Sequence, residues 1–486
     1  MSREEILGRM AAGARFAALA GDGDVTEGVR MHVVLARPDG IDVVDLQLPP
    51  GVDRYPALTP RIPAAFWYER KLHDLFGVVA QGHPRLDPLV LPHPDGNEPL
   101  PSPGAAFHPT HVEPDERALR SHVMGTGLFS LPHGPVRSGV FEAVEYVVET
   151  PGEDIPHVNV RPHFKHRGLE VRFEGMTPGR GVLLAERVEG IASVAHALAF
   201  CHAVEELAGA QVPLAAQLLR SLHAELERIA NHLDVAMKLA EAAGLAVALA
   251  RFGWHKERVL RLVSALCGNR FGRGVVVPGG VRALPLLGRD ELKARVDTLR
   301  RDISGDAAAL MQTASFLDRL RGTGPLDEDF TLQHGLLGPV GRAGGHEDDA
   351  RWHRPYDAYP KLSRRPVTHR SDGDAMARLR VRWDEVTESF DLLAQIVELF
   401  GDHPDEVLST RVEPVTGRAV GWAEAPQGEV LYLLEAGTDG RLRRCAPRSA
   451  SFHNLAVFSS AFRGDILTDF PFVEASFGLS IAGVVM

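Results

Sequence analysis

Three cysteines in 486 residues, Cys201, Cys267 and Cys445, leave sulfur chemistry little to work with. No two stand in a Cys-x-x-Cys pair, so neither a disulfide framework nor a thiolate-rich metal site is expected, and the usage fits a reducing compartment. No run approaches the roughly 20 apolar residues that span a bilayer. The N-terminus, Met1-Ser2-Arg3-Glu4-Glu5, is charged and leads into no apolar core, so no signal peptide is expected. Positive charge is also short: 53 basic against 64 acidic side chains give a net −11. That balance excludes a polybasic membrane patch and opposes nonspecific nucleic-acid binding, so no nucleic-acid partner is expected.

What is present points to a large soluble globular chain. At this length two or three domains are expected, and 44% hydrophobic with 24% charged residues is the balance of a packed globule. Residues 1–48 read as a short helix followed by strands, with 31–35 and 41–46 flanking the turn signal Pro38-Asp39-Gly40. A helix is expected over 64–76. Residues 80–118 are rich in proline and poor in periodic apolar positions, which marks an extended arm. Beyond a strand at 142–148 long helices dominate, at 187–208, 214–243, 246–267, 289–320 and 373–400, before strands return from 427. In the second of these helices, Leu219, Leu222, Leu226, Ile229 and Leu233 recur at spacings of 3, 4, 3 and 4, the seam of a bundle helix, with Arg220, His223 and Glu227 on another face. The fold class read from this order is α+β: a small N-terminal α+β domain over 1–95, a linker over 96–124, and a large, mostly helical bundle domain with peripheral strands over 125–486.

Two blocks carry a family resemblance. Glu69-Arg70-Lys71-Leu72-His73-Asp74-Leu75-Phe76-Gly77 with Gly82-His83-Pro84-Arg85-Leu86 resembles the small α+β subunit of respiratory complex I. An amphipathic helix explains Leu72, Leu75 and Phe76 but not the ordered string. From about residue 125 the ordered pieces include His166-Arg167-Gly168-Leu169-Glu170, Glu225-Leu226-Glu227-Arg228, Gly338-Pro339-Val340-Gly341-Arg342, Ser451-Phe452-His453-Asn454 and Asp469-Phe470-Pro471. Together they resemble the large subunit shared by complex I and energy-converting, membrane-bound [NiFe]-hydrogenases, which implies a [NiFe]-hydrogenase large-subunit-like fold.

The resemblance makes the absences sharper. The nickel-site signature Arg-x-Cys-Gly-x-Cys-x-x-x-His falls on Arg187 to His196, where Glu189 and Ala192 replace both cysteines. The second Cys-x-x-Cys of the family falls on Ser480-Ile481-Ala482-Gly483, and the arginine of its Glu-Ala-Pro-Arg-Gly loop is Gln427. A nickel–iron centre needs soft thiolates. With five positions changed, no metal and no hydrogenase activity are expected. The complex I quinone site fares little better: aligned without gaps, its head-group histidine falls on Phe141 and its tyrosine on Gly190.

Several charged residues remain as candidates for the lining of the ancestral cavity: Glu170, Arg187, Glu189, His196 and Asp469. Glu170, expected beside Arg167 and Arg187, is either a proton relay or an ion pair locking a strand–helix junction. His196, seven residues from Glu189, is either a partner on one helical face or a satisfied core histidine. Asp469 is expected to pair with Arg187 or another cavity cation. His163 with His166, and His346 with His353, lack a third ligand at metal-site spacing. The short Gly272-Arg273-Gly274 is no nucleotide fingerprint, so NAD binding, known in the family's complexes, is assigned to another subunit. The resemblance implies a partner iron–sulfur small subunit with a [4Fe–4S] cluster, a ferredoxin-like iron–sulfur subunit and antiporter-like membrane subunits. It also implies a cytoplasmic position, peripheral on the inner face of the cell membrane, and a possible quinone. Three readings stay open: reduction of an unconventional acceptor in an open pocket coupled to ion movement, a non-catalytic scaffold with an apolar-filled cavity, and an active hydrogenase.

Overall fold

In the computed structural model, residues 3–91, 125, 127–137, 142–364, 371–401, 407–413 and 416–486 are described. The linker expected over 96–124 and Phe141 lie outside them.

The chain opens with α1 (Arg3–Ala11) and an antiparallel sheet, β1 (Arg15–Asp24), β2 (Gly28–Arg37) and β3 (Gly40–Leu48), in sequence order. The Pro38-Asp39-Gly40 signal closes the second hairpin, as expected. A short parallel pair, β4 (Arg54–Pro56) and β5 (Val79–Gln81), brackets α2 (Phe66–Phe76). The polar residues of α2 explain the ordered string that amphipathicity could not. Glu69 accepts from the Leu58 and Thr59 amides at 2.7 and 2.9 Å, Asp74 accepts from the Leu89 and Val90 amides at 2.8 and 2.7 Å, and Arg70 donates to the Asp87 and Pro88 carbonyls. Gly77 ends the helix in the left-handed region at φ 68°. Each residue ties down an otherwise orphaned backbone group of a loop.

The larger part begins with β6 (Phe129–His133), β7 (Glu145–Thr150) and β8 (His157–Arg161), an antiparallel meander. Next come α3 (Leu169–Phe173), α4 (Pro178–Ala185), α5 (Ser193–Ala208), α6 (Leu214–Ala242) and α7 (Ala246–Cys267). The two-residue strands β9 (Val276–Val277) and β10 (Gly280–Val281) follow. After them run α8 (Arg289–Leu310), α9 (Ala314–Leu320), α10 (Glu328–His334), α11 (Gly338–Ala343), α12 (Ala350–His353) and α13 (Ala375–Phe400). The chain closes with the sheet β11 (Gly417–Ala425), β12 (Gly428–Ala436), β13 (Leu442–Arg448) and three short helices, α14 (Ala450–Leu455), α15 (Phe470–Phe477) and α16 (Ile481–Val484).

Two hydrophobic cores hold this together. One is built on α5 to α8, α13 and the inner face of β11 and β12. The other joins the N-terminal sheet and α2 to β7, β8 and α14 to α16. Within the first, the five seam residues of α6 are all buried, each contributing roughly 1.5–3 kcal/mol. The face expected to be polar is largely buried as well: Arg220 and His223 are enclosed and Glu227 is half-buried, while the neighbouring Arg228 is also fully enclosed, and both arginines are paired with acids. The helix expected over 187–208 starts only at Ser193, and that over 289–320 breaks at 311–313. The late start creates the site.

Candidate functional site

Residues 186–192 form a turn between α4 and α5, and Ala192, which precedes the first residue of α5, offers no side-chain cap. The cap comes from another helix. Glu227 on α6 accepts from the Val194 and Ala195 amides at 2.8 and 3.0 Å, satisfying two orphan donors at the positive end of α5. Burial nevertheless dominates its electrostatics and, aided by the Glu189 charge, pushes the Glu227 carboxyl up to about 8.

The turn carries Glu189 into the interior, where it is 1% exposed. Its Oε1 lies 3.0 Å from His196 Nε2, and His196 Nδ1 lies 2.8 Å from the Tyr432 hydroxyl on β12. Ser451 Oγ donates to Glu189 Oε2 at 3.2 Å. The hydrogen-bond roles follow from chemistry: the carboxylate only accepts, so His196 donates through Nε2 and accepts from Tyr432 through Nδ1. Burial and the neighbouring acid raise the Tyr432 phenol well above its usual range, which keeps it a donor.

The segment facing the second lost thiolate pair closes on the same carboxylate. A Cβ at Gly483 would stand 2.1 Å from Glu189 Oε2. The Gly483 carbonyl accepts from Ser449 Oγ, and Ser480 donates through its hydroxyl to Glu142 and through its amide to Ser451. Arg167 clamps the two segments together, reaching the Arg187 carbonyl at 3.0 Å, the Val188 carbonyl at 2.5 Å and the Ala482 carbonyl at 2.7 Å. A nickel–iron centre does not fit this arrangement. A carboxylate occupies the space, Gly483 has no room for a side chain, and Ser480 is spent on Glu142. The Gln427 amide, which stands for the family's arginine, is buried with both its nitrogen and its oxygen unpartnered among the described residues.

Gly483→Ala is expected to cost about 1–3 kcal/mol by overpacking against Glu189. In Glu189→Ala/Gly483→Ala the second change should cost little, a coupling that thermal unfolding of the four variants in a cycle reads directly.

The remaining candidates lie elsewhere. Glu170 is buried, but its partners are Lys71 of α2 and Arg444 of β13, not Arg167 and Arg187. Burial alone would raise its carboxyl; the two cations outweigh it and hold it down at about 2. The geometry is that of a lock between the N-terminal and C-terminal parts of the chain. Arg187 turns outward, with half its side chain exposed, donating to the Leu183 carbonyl and Glu186. Asp469 pairs with Arg319 at 3.1 Å and accepts from the Ile466 amide, so the expected pairing with Arg187 is not made. Of the five sequence candidates, only Glu189 and His196 meet. Tyr432, Ser451 and Glu227 complete the group. Tyr432 sits in a strand with no distinguishing motif, whereas Glu227 was legible as a polar position one turn from His223 and Asn231 on α6.

Beside this group a cleft of about 560 Å³ opens to solvent between α6 and α7, with Gly190, Val194, Glu227 and Phe271 on its walls. His223 donates through Nδ1 to the Leu219 carbonyl at 2.9 Å, which leaves its buried Nε2 bare. Asn231 Oδ1 is also buried, and among the described residues neither atom has a partner. His223 and Asn231 thus line the cleft with two acceptor atoms that are themselves buried.

Fold and site together define a class of protein: the hydrogenase-like large subunits, a helical scaffold here joined to a small α+β unit. Residues 17–102 match the family described as respiratory-chain NADH dehydrogenase, 30 Kd subunit, residues 245–412 match the 49 Kd subunit, and residues 167–236 match nickel-dependent hydrogenase. The chain is 30% identical to the carbon monoxide-induced hydrogenase of Rhodospirillum rubrum over 72% of its own length and 96% of that protein's. It is 27% identical to the fused C/D polypeptide of the NADH-quinone oxidoreductase of Nitrosospira multiformis, covering 89% of this chain and 78% of the relative. The membrane-bound sulfane sulfur reductase, an archaeal respiratory membrane complex, shares the fold at a TM-score of 0.69, with 24% identity over 75% of this chain and 100% of that one. The chain belongs to the family of complex I-like and membrane-bound-hydrogenase large subunits, with the two complex I units fused. Among the described residues no helix is long and apolar enough to cross a membrane.

Proposed function

We propose that this chain is the large subunit of a membrane-associated, complex I-like oxidoreductase in which protons, not a nickel–iron centre, are handled at the head of α5. The observation that carries this reading is the hydrogen-bonded series Glu189–His196–Tyr432 in place of the thiolate set. Glu227 lines the solvent-open cleft and holds the first amides of α5. A partner small subunit with a [4Fe–4S] cluster would dock beside the 186–196 turn, with a ferredoxin-like iron–sulfur subunit upstream and antiporter-like membrane subunits moving the ion. The complex would lie on the inner face of the cell membrane, held by its partners. Such a cluster would supply the electron transfer, and the chain's own part would be to hold the protons of the Glu189–His196–Tyr432 series, with Glu227 beside it, where they could answer a change of charge.

The cleft supports an atypical quinone site as its acceptor pocket. Gly190 leaves its wall without a phenol, while bare His223 Nε2 and Asn231 Oδ1 suit the hydroxyl donors of a reduced carrier. A scaffold role is the second reading; the thiolate space is filled as it requires, but by the polar Glu189 and not by the apolar side chains it expects. The assembled complex decides between them. Quinone-dependent reoxidation of the partner's cluster, followed by its visible absorbance, is expected to slow about 10²–10⁴-fold in Glu189→Gln, the scale of a lost proton-transfer group. A rate equal to wild type would leave only the scaffold reading.

A further inference from the structure

The N-terminal sheet meets the C-terminal sheet at a cluster separate from the Glu189 group. Asp22 on β1, His32 on β2 and Glu435 on β12 bring one ligand atom each within 4.8 Å of one another. His32 is fully buried. Its Nδ1 lies 2.7 Å from Asp45 Oδ1 on β3 and 3.0 Å from Arg418 Nη1, which donates at 2.8 Å to both Asp45 oxygens; Asp45 is the shorter contact and a carboxylate only accepts, so Nδ1 carries the proton. The lone pair on Nε2 is therefore bare, and Nε2 is buried with no hydrogen-bond partner among the described residues. Burial further disfavours the imidazolium. A carboxylate holding one imidazole nitrogen so that the other faces two more carboxylates is the outer-shell arrangement that orients metal-ligating histidines.

The centre of the cluster already draws a cation. The Arg443 guanidinium bridges Asp22 at 2.6 Å and Glu435 at 2.5 Å, but nearly half of its side chain is exposed, so it can swing into solvent. Arg418 does not compete for the ligands, since both its contacts are with Asp45 and the Nδ1 side of the ring.

We propose that Asp22, His32 and Glu435 form a site for a divalent transition-metal ion, Arg443 acting as the displaceable cation that holds the carboxylates in its absence. One imidazole and two carboxylates suit zinc or manganese better than the soft-ligand metals. A bound ion draws its ligands to about 2.0–2.2 Å from itself, a contraction that pulls β1 and β2 onto β12. The ion would thus staple the small unit to the large one, on the side of the sheet away from the Glu189 group.

The test is zinc binding by the full chain, measured as metal retained after equilibrium dialysis together with the shift in thermal unfolding. Wild type is expected to hold one more equivalent than His32→Gln. Arg443→Ala should bind severalfold tighter, because the competing cation is gone. Asp45→Asn should weaken binding about 10–100-fold through loss of the orienting carboxylate. Should His32→Gln fold poorly, Asp22→Asn and Glu435→Gln, both near the surface, carry the same expectation. Equal zinc content in wild type and all three ligand variants, or weaker binding in Arg443→Ala, would overturn the proposal.

Discussion

Glu170→Gln is expected to destabilise the protein by about 3–5 kcal/mol, because it leaves two buried cations, Lys71 and Arg444, facing a neutral amide. The loss should appear as a lower denaturant midpoint with an unchanged slope. The pH dependence has a definite sign. The carboxyl is held at about 2 in the folded chain, below its ordinary value near 4.5. Its contribution is therefore fully present above pH 4.5 and lost as pH falls from there toward 2. The span corresponds to about 3 kcal/mol, since each tenfold change in affinity for the proton is about 1.4 kcal/mol. Wild type should lose stability through that window and the glutamine variant should not share this part of the loss. A variant that unfolds with the wild-type acid profile would remove Glu170 from its role as the lock.

Glu227 is expected to act in the opposite direction and at physiological pH. Its folded carboxyl titrates at about 8, well above the ordinary value, so the neutral form is the one the fold prefers. The stabilising contribution is complete below pH 4.5 and disappears as pH rises through 8. The full span corresponds to about 5 kcal/mol, and about 3 kcal/mol is expected because the carboxyl keeps some contact with solvent at the cleft. Glu227→Gln keeps an oxygen for one of the two α5 amides and removes the titration. It should flatten the decline in stability expected of wild type between about pH 4.5 and 8, and it should be the more stable protein above pH 8. Unfolding curves that decline in parallel for the two proteins would contradict the assignment.

Much of the fold was legible because its signals are local. The span 246–267 was readable as a helix to the residue, and the α6 seam was visible in five apolar positions. The break at 311–313 carried no glycine or proline to announce it; the chain simply turns extended at Thr313. The buried polar side of α6 was hidden for a physical reason. Arg220 and Arg228 look like surface residues until Glu205, Asp357, Glu225 and Glu385, up to 157 positions away, are brought against them.

The site divides in the same way. Glu189 and His196 meet as the seven-residue spacing implied, but not because they share a helix face: Glu189 lies in the turn before α5. The cations of Glu170 could not be read locally, because Lys71 lies 99 positions before it and Arg444 lies 274 after it. Arg187 and Asp469 were grouped with the cavity by motif position alone, and local geometry sends each to a neighbour within its own surroundings, Glu186 and Arg319. The loss of the thiolates was plain in the sequence. What replaced them was not, since Tyr432 and Ser451 reach the Glu189–His196 pair from the C-terminal sheet and α14.

That replacement is the centre of the account, and the pH profile of cluster reoxidation in the assembled complex tests it most directly. With proton handling at Glu227 and the Glu189–His196–Tyr432 series, the wild-type rate should change with an apparent pKa near 8, Glu227→Gln should abolish that inflection, and Glu189→Gln should lower the rate across the whole range. A wild-type profile without an inflection near 8, or one that Glu227→Gln leaves in place, would contradict it.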